Sequence, residues 1–114
     1  MSWKSGVIAV SLLAACGGGD EFRRPIPLYG EIPIEYPTDL WDQDIEGTTV
    51  LRVLVNEMGE VDSAEVVESS GYPAFDSAAV QGVMDLRYSP ARRGDDRIEV
   101  WATVPVNFSK RPRS

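Results

Sequence analysis

The chain has no histidine, and its only cysteine is Cys16, near the N-terminus. Without histidine, the Ser/His and Cys/His pairs that activate many catalytic nucleophiles are excluded. A metal site would have to consist of oxygen ligands. A single cysteine also excludes a disulfide within the chain. We therefore predict that the protein is not an enzyme and that it holds no metal and no cofactor.

The acidic residues do not indicate a metal site or acid/base catalysis either. Asp39, Asp42 and Asp44 resemble the beginning of a calcium-binding loop, but the glycine and the distal glutamate that complete such a loop are missing. Glu65 and Glu68 are three residues apart in a predicted strand and therefore point to opposite faces of it, which is unsuitable for paired acid/base work.

Basic residues are in the minority, with 11 Lys and Arg against 18 Asp and Glu and a formal net charge of −7. This excess of negative charge opposes binding to nucleic-acid phosphates, so we predict no nucleic-acid partner. Two basic clusters remain, at residues 92–93 and at the C-terminus (Lys110, Arg111 and Arg113). The first is either a solvated loop or an anion site. The second is either a solvated tail or a contact with anionic lipid or another envelope surface.

A long hydrophobic run is also missing, because the apolar stretch at residues 6–13 is too short to span a bilayer. Preceded by Lys4, it has the length of a secretory signal. Residues 13–16, Leu-Ala-Ala-Cys, match the bacterial lipobox, in which small residues expose the cleaved bond and the cysteine thiol is acylated. We predict a signal peptide at residues 1–15 and a lipid anchor on Cys16, where two or three acyl chains hold a protein firmly.

Two alternatives to this anchor stay open, namely a plain secretory signal with a chance cysteine and a frayed membrane helix. Gly17 occupies the position where some bacteria place an aspartate that retains lipoproteins in the inner membrane. We therefore expect a periplasm-facing protein, with the outer membrane favoured over the inner membrane.

Residues 16–35 contain three consecutive glycines and three prolines, which predicts a linker with a flexible beginning and a stiffer end. Fully extended, it would reach about 60–70 Å. The rest of the chain suits one small domain at residues 36–108, followed by a basic tail at residues 109–114.

The pattern within this domain predicts the order helix, strand, strand, helix, strand. Thr38 or Asp39 would cap the first helix, and Leu40 and Trp41 would hold it to the core. Strands at 48–56 and 61–69 would form a hairpin around Gly59. The second helix, 74–87, would begin after Pro73. Its apolar side chains recur at helical spacing and would face the core: Phe75, Ala79, Val83 and Leu86.

The last predicted strand covers residues 98–108, after a charged loop at residues 92–96. Apolar side chains at every second position, from Ile98 to Phe108, would face the core. Pro105 has no N–H to donate, which predicts that this strand lies at the edge of its sheet. The elements fit an α+β fold, a three-stranded antiparallel sheet with two helices on one face.

Seven short segments occur in an order that resembles the TonB C-terminal domain family. They are Tyr36-Pro37, residues 45–47 (Ile-Glu-Gly), Gly59 with Val61, residues 69–71 (Ser-Ser-Gly), Phe75-Asp76 with Ala78-Ala79, residues 88–91 (Tyr-Ser-Pro-Ala) and residues 104–108 (Val-Pro-Val-Asn-Phe). The resemblance covers residues 36–108. It implies a binding module whose last strand pairs with an extended peptide of an outer-membrane transporter, a mode called β-augmentation.

Carried over to this chain, the resemblance makes 98–108 the receiving strand. The partner-binding residues that it implies are Ile98, Val100, Trp101, Thr103 and Asn107. An exposed tryptophan is a suitable anchor for a partner, since aromatic side chains dominate interface energetics. The alternative is that Trp101 lies over the sheet against Arg52. Pro105 would cost the added strand one hydrogen bond.

Three functional hypotheses follow. The first is a lipid-anchored module that binds an envelope protein through its edge strand. The second is a component of a TonB-type uptake system, either an energy transducer or an accessory, acting on a TonB-dependent outer-membrane transporter. The third is a structural homodimer or a lipoprotein in contact with the cell wall. Because the predicted anchor is lipid rather than a helix gripped by a motor, we expect the domain to work near its own membrane.

Overall fold

A computed structural model describes residues 21–110 of the chain. The predicted signal peptide, the predicted lipidation of Cys16 and the tail beyond Lys110 lie outside these residues. The elements are β1 (Phe22–Arg23), β2 (Ile26–Pro27), α1 (Thr38–Asp42), β3 (Gly47–Val55), β4 (Val61–Glu68), α2 (Pro73–Val83), β5 (Tyr88–Ser89), β6 (Ala91–Arg93), β7 (Asp96–Ile98) and β8 (Val100–Phe108). Within the described range, no helix has both the length and the hydropathy needed to cross a membrane.

The main sheet has the order β4–β3–β8 and is antiparallel throughout. On the central strand β3, every second side chain is fully buried, from Thr49 to Val55, and Arg52 points to the opposite, exposed face. This alternation is what a sheet with one covered face requires. The predicted α+β fold is confirmed, and so is the position of the last strand at an edge of the sheet.

Helix α2 covers the buried face of the sheet. The predicted apolar stripe of Phe75, Ala79, Val83 and Leu86 is buried in full. The helix ends at Val83, earlier than predicted, and Leu86 reaches the core from the turn that follows. Pro73 occupies the first turn, where its missing N–H costs no helical hydrogen bond.

Helix α1 begins without a side-chain cap, contrary to the prediction for Thr38 or Asp39. The preceding residue is Pro37, whose backbone carbonyl accepts the N–H groups of Leu40 and Trp41. Leu40 packs against the core, whereas Trp41 is largely exposed.

Aromatic rings join the beginning of the domain to its last strand. Phe75 and Phe108 stack with ring centroids 4.2 Å apart, and Tyr36 contacts both rings edge-on at 5.5 and 5.7 Å. The Tyr36 hydroxyl donates a hydrogen bond to the backbone carbonyl of Ile45. Edge-to-face and offset stacked pairs stabilise beyond the area they bury.

The β3–β4 turn is docked onto β5. Gly59 has φ +82°, and its carbonyl accepts the N–H of Tyr88 at 2.8 Å. The Asn56 side-chain oxygen accepts the N–H groups of Met58 and Glu60 and closes the turn. The predicted turn at Gly59 is confirmed, and the backbone contact with Tyr88 is an additional finding.

The region from 88 to 99 differs from the prediction. The expected charged loop is a hairpin of β6 and β7, with Gly94 and Asp95 at its turn. The expected long last strand is interrupted at Glu99, and Ile98 belongs to β7, where it pairs with Ala91. Ala91 is fully buried, so the β6–β7 pair is packed against the domain at Ala91. The chain then enters the main sheet at Val100.

Residues 21–35, predicted as part of a linker, pack on the domain; we call them the N-terminal strap. β1 pairs with β6, and β2 pairs with β5. Ile32 and Ile34 pack against the core. A Cβ atom on Gly82 of α2 would come within 2.4 Å of the Ile34 side chain, so the two segments touch closely. The expected reach of the linker therefore does not apply to the strap, because its two strands pair with the domain and Ile32 and Ile34 pack against the core.

Asp76 connects α2 to the sheet and to the loop between β4 and α2 through four hydrogen bonds. Its carboxylate accepts the hydroxyl of the fully buried Thr49 at 2.8 Å, the N–H and hydroxyl of Ser70 at 3.0 and 2.9 Å, and the hydroxyl of Ser69. Burial acts to raise its pKa, but these donors outweigh burial and lower the pKa to about 2.

We expect this carboxylate to make stability depend on pH. Its folded pKa is lower than the ordinary 3.8, so its contribution is complete above pH 4 and is lost as the pH falls toward 2. The loss is on the order of 2 kcal/mol. Urea unfolding of wild type and Asp76→Asn between pH 7 and pH 2.5 checks this, with the exposed Asp85→Asn as control. Parallel curves for wild type and Asp76→Asn would contradict the assignment.

Candidate functional site

The candidate site is the outer edge of β8. Along its inner edge, β8 pairs with β3 without a register shift, from Val55–Val100 to Gly47–Phe108. Within residues 21–110, no strand pairs with its outer edge. The strand is nine residues long, and every second residue directs its backbone groups to this unpaired outer edge, which is a template for another extended chain.

The N-terminal strap runs along this outer edge and leaves a groove between the two. One cavity of about 450 Å³ lies between residues 22–29 of the strap and residues 100–103 of β8. A second, of about 430 Å³, lies between residues 29–34 and residues 104–107. Tyr29 lines both. We call the two together the edge groove. Apart from contacts with undescribed residues, no backbone hydrogen bond joins its two walls.

Four of the five residues implied by the resemblance line the edge groove. Val100, Trp101 and Thr103 lie in the first cavity, and Asn107 lies in the second. Ile98 does not, because the interruption at Glu99 places it in β7. The strap wall, with Tyr29, was missed by sequence reasoning. The apolar residues among the prolines of the strap were the available sign that it packs.

Trp101 is both exposed and supported. It is 42% exposed, and the Arg52 guanidinium lies over its ring with Cζ 4.5 Å from the centroid. Arg52 also pairs with Glu65 across the sheet at 2.8 Å. The contact with Arg52 that was the alternative to a partner anchor is therefore present. It holds one side of the indole in place while the residue still borders the groove.

Asn107 and Lys110 are engaged with the domain. The Thr48 hydroxyl donates to the side-chain oxygen of Asn107 at 2.7 Å. Lys110 Nζ lies 2.6 Å from an Asp44 carboxylate oxygen and 4.4 Å from the Trp41 ring centroid. The first basic residue of the tail, Lys110, is thus part of the packed structure.

Asp44 therefore has a structural role opposite Lys110, and its φ of +58° places it in a tight turn. In the part of the chain that the structure describes, no three acidic side chains come together in a group able to hold a metal ion.

Comparisons with known proteins agree with this fold. The model of the family described as "Gram-negative bacterial TonB protein C-terminal" matches residues 32–109. Protein tonB2 of Pseudomonas aeruginosa is 40% identical over 74 residues, 65% of this chain and 27% of the relative. Protein TonB of Neisseria meningitidis serogroup B is 36% identical over 95 residues, 81% of this chain and 31% of the relative.

The chain thus spans less than a third of the length of these curated relatives. The solution NMR structure of the Pseudomonas aeruginosa TonB CTD superposes with a TM-score of 0.61 at 24% identity, covering 85% of this chain and 94% of that one. At this identity the likeness shows the shared fold. With the family model matching most of the chain, the protein belongs to the TonB C-terminal domain family.

Proposed function

We propose that the protein is a lipid-anchored periplasmic interaction module that binds an extended segment of an envelope partner along the outer edge of β8. The observation that carries the proposal is this nine-residue edge, which faces a groove and not a neighbouring strand. The lipobox at Cys16 supports the anchor. A TonB-dependent outer-membrane transporter is the partner that family membership favours.

The position of Pro105 indicates which backbone groups face the partner. Pro105 stands in unbroken register opposite Val50. Because proline has no N–H, this position is compatible with the ladder when its nitrogen points to the free edge. Residues two apart along a strand direct their N–H groups to the same side. The N–H groups of Trp101, Thr103 and Asn107 therefore face the groove.

Thr103→Pro is expected to weaken partner binding about tenfold, because it removes one interfacial donor. It removes no hydrogen bond to β3, so the free energy of unfolding should change little. Thr103→Val is the matched control, since it alters the side chain but keeps the N–H. Titration with the partner segment compares the affinities of the full-length variants, and urea unfolding compares their free energies of unfolding. Equal affinity of the two variants would contradict the assignment of these donors.

In-cell photocrosslinking tests the site itself. A photoreactive residue is placed at Trp101, Thr103 or Asn107 of the full chain, with Val67 on the other edge strand, β4, as the control position. Capture of a transporter's periplasmic segment from the groove positions, and not from Val67, is the expected result. Crosslinks at Val67 alone would overturn the edge proposal.

One second candidate has a specific observation behind it. The same free edge that accepts a partner segment can pair with β8 of another copy. A crosslink between two copies at Thr103, together with dimerisation that depends on concentration, would identify the protein as a structural homodimer instead of a transporter-binding module.

A further inference from the structure

Three arginines stand side by side across the small sheet β1–β6–β7. In its register, Arg23 lies opposite Arg92, and Arg92 lies opposite Arg97. Directly opposed residues of antiparallel strands project to the same face, with Cβ atoms about 4.5–5.5 Å apart. We call these three residues the arginine row. Arg23 and Arg97 are exposed, and Arg92 is half-buried.

The charge of the arginine row is largely uncompensated. A carboxylate oxygen of Glu21 lies 4.0 Å from Arg23, and Arg92 donates to the backbone carbonyl of Asp95. Among residues 21–110, no carboxylate forms an ion pair with Arg92 or Arg97. Like charges placed directly opposite one another destabilise a sheet. The stability of the small sheet therefore gives no reason for the row.

Positive charge is concentrated at this end of an acidic protein. The described part has eight basic residues, and six of them lie in or beside the small strands β1, β2 and β5–β7. The six are Arg23, Arg24, Arg87, Arg92, Arg93 and Arg97. The same strands and their flanks also carry four carboxylates: Glu21, Asp95, Asp96 and Glu99. This region therefore has a formal charge of +2 (six minus four), in contrast to the net −7 of the chain, and it is the end that attracts anions.

The distance along the chain between Arg23 and Cys16 suggests which anionic surface the arginine row faces. Arg23 follows Cys16 by seven residues, which span about 25 Å at most. Acyl chains on Cys16 would keep the arginine row within that distance of the bilayer. We propose that the arginine row binds the anionic phospholipid headgroups of the membrane that holds Cys16. This inference rests on the lipid anchor of the proposed function.

Docking in this way would set the height of the binding site above the membrane. Phe22 and Arg24, which flank Arg23, line the first cavity of the edge groove. A docked arginine row therefore holds the Trp101 end of the groove next to the headgroups. A partner segment that emerges from the bilayer would then lie close to the groove.

The expected effect follows from electrostatics at an anionic surface. One basic residue near such a surface strengthens binding about fivefold, so three contribute about 100-fold. The contribution falls within a Debye length of about 10 Å at 0.1 M salt and is therefore weakened by added salt.

The test uses the full chain isolated from bacterial membranes, with acylation of Cys16 checked by mass spectrometry. A fluorophore on Asp95→Cys, in the β6–β7 turn, reports its distance from the bilayer through quenching by labelled lipids. The protein is reconstituted into phosphatidylcholine vesicles with or without 30% phosphatidylglycerol. Arg23→Gln, Arg92→Gln and Arg97→Gln are combined in one variant. The same three positions changed to Lys retain the charge, and Arg52→Gln is the control on the main sheet.

With phosphatidylglycerol vesicles we expect strong quenching of the wild-type protein, which is lost in 0.5 M NaCl. The Gln combination should lower the docked fraction at least tenfold. The Lys combination and Arg52→Gln should keep the quenching of wild type. Equal quenching in both vesicles, or in wild type and the Gln combination, overturns the proposal. So does a Gln combination that abolishes partner crosslinking with unchanged quenching, which would assign the row to an acidic protein segment.

An unmodified Cys16 would overturn the anchor alone. Cosedimentation of wild type and the Gln combination with the two vesicle types then decides the arginine row separately. Far-ultraviolet circular dichroism and urea unfolding of the Gln and Lys combinations show whether both are folded. If only the Lys combination folds, single Arg97→Gln at the exposed end of the row replaces the triple variant, with an expected fivefold loss.

Discussion

Gly59→Ala is expected to lower the free energy of unfolding by about 3 kcal/mol or more, through backbone strain combined with a steric clash. Gly59 has φ +82°, a conformation that costs an L-residue about 1–2 kcal/mol. In addition, a Cβ atom there would lie 1.8 Å from the carbonyl oxygen of Tyr88. Tyr88 is buried and its N–H binds the Gly59 carbonyl, so this backbone cannot retreat without breaking its own contacts.

Gly71→Ala separates the two contributions. Gly71 has a comparable φ of +92°, but a Cβ atom there would have no heavy atom within 4 Å. Its replacement should therefore cost only the backbone strain, about 1 kcal/mol. Urea unfolding of the two variants measures the difference. Equal losses would show that the turn moves away from β5 at little cost, contrary to the close contact with Tyr88.

Phe75→Ala is expected to cost about 3–5 kcal/mol, the range for removing a fully buried aromatic side chain. Phe75 has no solvent exposure and stacks on Phe108, and a Cβ atom on Gly47 would touch its ring at 3.2 Å. Because Phe108 ends β8, the cavity would lie beneath the candidate binding edge. Partner affinity should therefore fall together with stability.

Tyr72→Ala is the matched control. Tyr72 contacts the same ring edge-on at 5.7 Å but is 38% exposed, so its loss should cost about 1 kcal/mol. Phe75 and Phe108 should also be coupled, with the double alanine variant losing less than the sum of the single losses. Thermal or urea unfolding of wild type, Tyr72→Ala, the two single phenylalanine variants and the double variant checks this. A loss below 1 kcal/mol for Phe75→Ala would mean that the two rings do not form the core contact described.

The regular elements could be predicted because each leaves a local trace. β3 shows alternating buried and exposed residues, and α2 shows a stripe at helical spacing. Pro105 indicated the edge position of β8, since a missing N–H is incompatible with an interior strand. The predicted end of α2 and the predicted side-chain cap of α1 were wrong. In the first case Leu86 is buried from a turn, and in the second the Pro37 carbonyl takes the place of a side chain.

The candidate site was only half predictable. Residues of one strand, such as Trp101 and Thr103, can be assigned from alternation along that strand. The opposite wall of the groove comes from residues about 70 positions earlier, including Tyr29, and no local pattern connects the two. The prediction that Ile98 belongs to the last strand was wrong for a similar reason, because its pairing with Ala91 takes it out of the main sheet.

The sequence by itself determined the secondary-structure order, the family, the apolar faces and the acidic character of the chain, because each depends on residue type and spacing over a few residues. Only the tertiary structure decided that the strap packs beside β8, that Gly59 lies against Tyr88, and that Arg23, Arg92 and Arg97 form one row. The physical reason is that strand pairing joins distant segments through backbone hydrogen bonds, which every residue except proline can donate and which therefore leave no mark in the side-chain sequence.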